Sequence, residues 1–205
     1  MPLDLATLVD PAHTAVVTSE CQVGVIGSTS MLPALAEAAS KGMLPALVSL
    51  LSAARGASVQ VVHCLFERRP DHLGSNTNAR LFVALRNVEP GLAQGSPGAA
   101  LVPEIVPDPS DLVLTRTHGL NPIAGTDLDP ILRNLGVKTL VVTGVSVNIA
   151  VTNLVMDSIN LGYQVVIPRD AVVGFPKEYA DSILDNTLSL LATMTTTAEL
   201  MAAWQ

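Results

Sequence analysis

Residues 138–154 read KTLVVTGVSVNIAVTNL, and this stretch decides the fold. Its first half, Lys138 to Gly144, is a short run rich in Val, the composition of a strand buried on both faces. A glycine turn follows, and from Asn148 to Leu161 the pattern becomes helical. Strand, tight turn and helix in that order form the repeating unit of a parallel sheet covered by helices.

Working outward, the same unit recurs. TAVVTS (Thr14 to Ser19), SVQVVHC (Ser58 to Cys64), DLVLT (Asp111 to Thr115), YQVVIP (Tyr163 to Pro168) and ATMTTT (Ala192 to Thr197) supply the other strand-like runs. Helical stretches are expected over Leu32 to Arg55, Asp127 to Leu135 and Lys177 to Leu191. RGAS, LGVK and LGYQ each place a glycine after a helix and before a strand, where the left-handed C′ position favours it. The segment Phe66 to Pro109, rich in Pro, Gly, Asn and Arg, is too long for a simple connection and has the character of a binding lid.

The chain has 205 residues, which suits one domain over 1–205 with that insertion at about 66–109. Hydrophobic residues make up 49% and charged residues 14%, so extensive burial is expected, and with it a homo-oligomer. A formal charge of −7 argues against nucleic-acid partners, whose phosphates are neutralised by Lys and Arg, and in favour of a small-molecule substrate. The N-terminus lacks a cationic region followed by an apolar run, so a cytoplasmic address is expected. Gly, Pro and polar residues interrupt every apolar run before the roughly 18 residues of a membrane span, so no membrane association is expected. Cys21 and Cys64 end strand-like runs and are expected to be buried free thiols.

In open α/β sheets, ligands collect beyond the carboxyl ends of the strands. The residues found there are Glu20 to Gln22, His63 to Arg69, Arg116 to Pro122, Gly144 to Ala150 and Arg169 to Gly174.

These tips carry a resemblance. TAVVTSECQVGV (14–25), LTRTHGLNPIAGTDLDPILRNLGVKTLVVTGVSVNIAVTNLVMDS (114–158) and GYQVVIPRDA (162–171) resemble the isochorismatase-like hydrolases, a group that includes nicotinamidases and other amidases. The resemblance runs from about Thr14 to the end. It implies a Rossmann-like three-layer αβα sandwich with a six-stranded parallel sheet, and commonly an oligomer.

The amidases of that group use an Asp, Lys and Cys triad, and this chain departs from each member. The Asp position matches Glu20, Arg116 is the cation nearest the Lys position, and the Cys position matches Ala150. Alanine has no lone pair with which to attack a carbonyl, so a thioester mechanism at this position is excluded. Glu keeps a carboxylate but reaches one methylene further, and a misplacement of about 1 Å can cost roughly 10²-fold in rate. Arg keeps the charge but loses a readily tuned pKa, leaving a fork suited to carboxylates and to clamping an anion. The isochorismatases proper also lack the Cys, having Gly there and an acid as proton donor, a role for which Glu20 is the candidate. The resemblance further implies a cis peptide between Val145 and Ser146, with the N–H groups of Ile149 and Ala150 facing an anion at the helix start.

His118 could shuttle protons, and Arg68, Arg69 and Arg80 could hold a carboxylated substrate. Gln22 and Asp170 are expected to order the backbone. The zinc motif of nicotinamidases, Asp-x-His, fails because Asp71 and His72 are adjacent, and His63 alone reads as a packed side chain, so neither metal nor cofactor is expected. Two functions remain open: a hydrolase without a cysteine nucleophile, with Glu20 as general acid or base, and a pseudoenzyme that keeps the fold for ligand binding or assembly.

Overall fold

The computed structural model describes residues 4–86, 88 and 91–205. The sequence reading of the N-terminus and of the long segment therefore includes a few residues, 1–3, 87, 89 and 90, that lie outside the described ones. The strand-like runs form β1 (Thr14–Ser19), β2 (Gln60–Phe66), β3 (Leu112–Arg116), β4 (Thr139–Val145), β5 (Gln164–Pro168) and β7 (Thr193–Thr195). One further strand, β6 (Val172–Val173), brings the described sheet to seven, where six were expected. Two residues carry no periodicity, so β6 is invisible in sequence; it exists because Val172 and Val173 pair with Gly144 and Val145 at the tip of β4.

The main strand order is β3-β2-β1-β4-β5-β7, all parallel. In the centre, Val16 of β1 sits between Val61 of β2 and Val141 of β4, all fully or almost fully buried. Chain order reverses direction between β1 and β4, and a crevice opens at such a point.

Helices cover both faces, giving the expected three-layer α/β sandwich. On one face lies a continuous helical segment, Pro33–Gly56, with a π-helical turn at Ala39–Met43. Pro45 just beyond that turn has no N–H to donate to the preceding turn, and the wider π spacing accommodates it. Leu47, Leu50, Leu51 and Ala54, spaced as one helical stripe, are at most 1% exposed against the sheet. Contrary to the sequence expectation, this segment of 24 residues is long and apolar enough to cross a membrane; in the fold its apolar stripe packs into the core.

The opposite face is packed by the helices Leu128–Asn134, Thr152–Asn160 and Lys177–Asn186, whose Leu132, Leu154 and Leu184 meet Val17, Val62 and Val142. The expected helix over 177–191 breaks at Thr187 and ends in a 3-10 turn at Leu188–Leu190. Asp170 ties the exit of β5 to the last helix by accepting from Thr197 N–H (2.8 Å) and Thr197 Oγ1 (2.6 Å), the ordering role expected of it.

His63 is fully buried and fully engaged, as its reading as a packed side chain requires. Its Nδ1 pairs with Thr18 Oγ1 (2.9 Å), and its Nε2 with Asp111 Oδ2 (3.1 Å). Asp111 also accepts from Arg55 Nη2 (2.6 Å) and from the Asp108 N–H (2.9 Å). Burial pushes the Asp111 carboxyl up, but these hydrogen bonds outweigh it and hold its pKa below the ordinary value. Burial also lowers the pKa of His63, against the pull of Asp111, which favours the neutral ring.

Candidate active site

β1 ends at Ser19, and the chain turns sharply through Glu20, whose φ is +53°. Such a left-handed residue is uncommon unless it is glycine. Two backbone bonds hold the turn: Glu20 N–H donates to the Cys64 carbonyl (2.9 Å), and Gln22 N–H donates to the Glu20 carbonyl (2.8 Å). Gln22, fully buried, donates from Nε2 to the carbonyls of Phe66 (2.9 Å) and Ala99 (2.8 Å) and accepts the Phe66 N–H (2.9 Å). The turn that carries Glu20 is thereby fastened to the end of β2 and to the long segment.

Arg116, the last residue of β3, donates from Nη2 to Glu20 Oε1. The Arg116 side chain is 3% exposed and that of Glu20 20%, so the ion pair is largely out of water. Its guanidinium lies over the Phe66 ring at 5.2 Å, and its buried Nε and Nη1 have no hydrogen-bond partner among the described residues. Unsatisfied buried donors are rare in native structures.

Beyond β4, Gly144 adopts φ +93°, and a Cβ there would stand 2.4 Å from the Ser19 carbonyl oxygen. Only glycine lets the tips of β1 and β4 come this close. The Val145–Ser146 peptide is cis, as the family resemblance implies. Ala150, 4% exposed, then presents its methyl group from the first helical turn.

Glu20, Arg116, Ser146, Ile149 and Ala150 border one cavity of about 180 Å³. Its remaining wall is mostly apolar: Val25, Leu32 and Leu35 on one side, Leu81, Phe82 and Leu85 from the long segment on the other. The lid character expected of 66–109 therefore fits its position. Asn76 of that segment accepts the Gly119 N–H (2.9 Å), tying the lid to the loop after β3. Arg68 also reaches the cavity, 8% exposed, with Nη1 donating to the Leu85 carbonyl (2.7 Å).

Several expected members stand elsewhere. His118 is exposed and faces a separate depression beside Gly125 and Asp127, because Gly119 at φ +75° turns the chain after it. Arg69 is exposed and paired with Asp71 (2.8 Å). Arg80 is exposed and does not line the cavity. Val145 is buried in the core beneath the site, and the Ile149 N–H is already spent on the Ser146 carbonyl (3.1 Å), so it is not free for an anion. Phe66 lies within the tip His63 to Arg69 that the sequence placed at the site, whereas Asn76 and the lid leucines were missed. The only signal was that they lie in an unusually long connection.

Neither cysteine replaces the missing nucleophile. Cys21 and Cys64 are buried free thiols, and burial pushes both up to about 12, far from the thiolate form near neutral pH. Among the described residues no group of three or more His, Cys, Asp or Glu is placed to hold a metal ion.

Comparison with known proteins gives a consistent picture. Residues 14–199 match the family model described as the isochorismatase domain. The chain is 29% identical over 174 residues to the ureidoacrylate amidohydrolase RutB of Rhizobium rhizogenes, covering 78% of this chain and 70% of that protein. Among solved structures, a cysteine hydrolase from Pseudomonas syringae pv. phaseolicola superposes with a TM-score of 0.80 at 23% identity, covering 96% of this chain and 94% of that one. An isochorismatase family protein from Burkholderia thailandensis gives 0.78 at 25% identity, with 94% and 96% covered.

Proposed function

The chain belongs to the isochorismatase family, and on that premise we propose that it hydrolyses a small molecule without a cysteine nucleophile. The observation that carries this reading is the Glu20–Arg116 pair at the wall of an open cavity whose nucleophile position is a methyl group.

The mechanism follows from charge. Glu20 takes a proton from a water molecule, whose oxygen attacks the substrate carbonyl carbon directly; Ala150, truncated at Cβ, leaves that water the room a thiol would fill. In the ground state Arg116 spends its charge on the Glu20 carboxylate. Once Glu20 holds the proton, that charge is released to the oxyanion forming on the carbonyl oxygen. The interaction is strongest in the transition state, which is the condition for raising kcat. Collapse of the tetrahedral intermediate expels the leaving group, which recovers the proton from Glu20. A homo-oligomer and a cytoplasmic address belong to the same proposal, the first checked by sedimentation of the purified chain.

A screen over amides, ureido acids and vinyl ethers tests the reading, with Glu20→Gln as control. Turnover of an amide or ureide that Glu20→Gln abolishes supports it, and equal turnover in the variant overturns it. A second reading, a ligand-binding pseudoenzyme, draws on the placement of His118 outside the cavity, which leaves Glu20 without the proton shuttle expected beside it. Ligand binding with no turnover across the screen would select it.

A further inference from the structure

A second hollow abuts the cavity. Arg68, His72, Arg86 and Leu92 line both the cavity and an adjoining cleft of about 290 Å³ that also meets Arg69 and Ser96. The protein as a whole carries −7, yet four of its 11 Lys and Arg residues, Arg68, Arg69, Arg86 and Arg116, border the cavity or the adjoining cleft. Two of the four are matched there by carboxylates, Arg116 by Glu20 and Arg69 by Asp71. Arg68 has no carboxylate partner among the described residues, although it is buried, and burial lowers its pKa from the ordinary value. His72 Nδ1 and Ser96 Oγ are likewise buried without a hydrogen-bond partner.

Arg116 and Arg68 both lie over the Phe66 ring, at 5.2 Å and 5.9 Å from its centroid, so the reacting pair and the second guanidinium share one aromatic side chain. The apolar wall between them encloses about 180 Å³. A dry apolar cavity of about 150 Å³ is enough to hold benzene. Burying a guanidinium without a counter-charge is costly, and an anion on the ligand offsets that cost through charge-assisted hydrogen bonds.

Resting on the hydrolase reading above, we propose that Arg68 is a specificity-determining residue that selects substrates with a ring-sized apolar body ending in an anionic group remote from the reacting bond. The apolar body fills the cavity beneath the lid leucines. The anion sits at the mouth of the cleft, where Arg68 donates to it and Arg86 adds long-range attraction.

Calorimetric binding to the full chain, with the probes recovered and checked for turnover, tests this with four small molecules: 4-phenylbutyrate, 2-phenylethyl phosphate, the neutral 4-phenylbutyramide and acetate. At least one of the two phenyl anions should bind at least about 10-fold more tightly than both the amide and acetate, a gap of about 1.4 kcal/mol. The tighter of the two anions then identifies carboxylate or phosphate as the group selected. Arg68→Met should reduce the preference over the amide below about 3-fold, while Arg68→Lys keeps part of it. Because Arg68→Met also loses the bond to the Leu85 carbonyl, Arg86→Ala at an exposed position provides a second, milder reduction in a folded protein. Amide binding as tight as that of both anions, or a preference unchanged in both Arg68→Met and Arg86→Ala, overturns the proposal. Glu20→Gln should retain the preference, so a failed hydrolysis screen and a failed specificity test are distinguishable.

Discussion

Arg116 and Glu20 meet across strands that are not neighbours: Glu20 follows β1, Arg116 ends β3, and the end of β2 lies between them beneath the guanidinium. The pair arches over Phe66, the last residue of β2, whose Cα partner in the ladder is Arg116. If Glu20 is the base, Glu20→Gln should lower kcat at least about 10²-fold with little change in Tm, since the amide oxygen still accepts from Arg116. Arg116→Met leaves a half-buried carboxylate without its partner and should cost about 3 kcal/mol of stability as well as activity. Steady-state kinetics beside thermal melts separate the two effects.

Ala150→Cys should place a thiol in the cavity wall. Cys21 and Cys64, pushed up to about 12 by burial, should resist iodoacetamide in the native protein near neutral pH. Mass spectrometry should then show one rapid modification in the variant, none in the parent on the same timescale, and two in the parent after denaturation. Labelling of the variant no faster than the parent would mean that position 150 does not open into the cavity.

Asp111→Asn removes the acceptor shared by Arg55, His63 and the Asp108 N–H, and should destabilise the fold by about 3 kcal/mol at neutral pH. The parent should also weaken in acid, in two windows. The folded pKa of His63 lies below its ordinary 6.5, so the unfolded chain takes up the proton first; that stability is complete above 6.5 and declines below it. The folded pKa of Asp111 lies below its ordinary 3.8, so its contribution is complete above that value and is lost as pH falls through the lower folded one. Urea midpoints between pH 8 and 3 would show both, and a flat profile down to pH 4 would contradict the His63 assignment.

Gly144→Ala should be among the costliest single-methyl changes in the chain. At φ +93° any side chain is strained, and the added Cβ would meet backbone atoms of Ser19 at 2.4 and 2.8 Å. A loss of more than about 2 kcal/mol is expected in chemical denaturation.

The strands and helices were legible because their signals are local. β1 matches the run Thr14 to Ser19 residue for residue, and β2 to β5 fall within two residues of their sequence runs, since a Val-rich run between turns forms a buried strand wherever it is placed. Ala150 was legible as well, since the strand, turn and helix around it fix its position on the first helical turn. His118 was misplaced for the opposite reason. Its position after β3 was correct, but the direction of its side chain depends on loop dihedrals that no periodicity encodes.

The α/β architecture, the placement of the candidate site at the carboxyl ends of the strands and the lack of a sulfur nucleophile at position 150 are readable from the chain alone. Each of these follows from side-chain period, from glycine at forced turns, or from the chemistry of a single residue. Packing of the elements is what pairs Glu20 with Arg116, leaves His118 and Arg69 out of the cavity that holds this pair, and brings Phe66, Arg68 and the lid leucines to its wall. The pairing of Arg116 with Glu20 spans 96 positions, and such contacts are set by strand order and by the path of a long loop. A sequence pattern records which face a residue takes within its own element; which partner it meets across the sheet is fixed only when the elements pack.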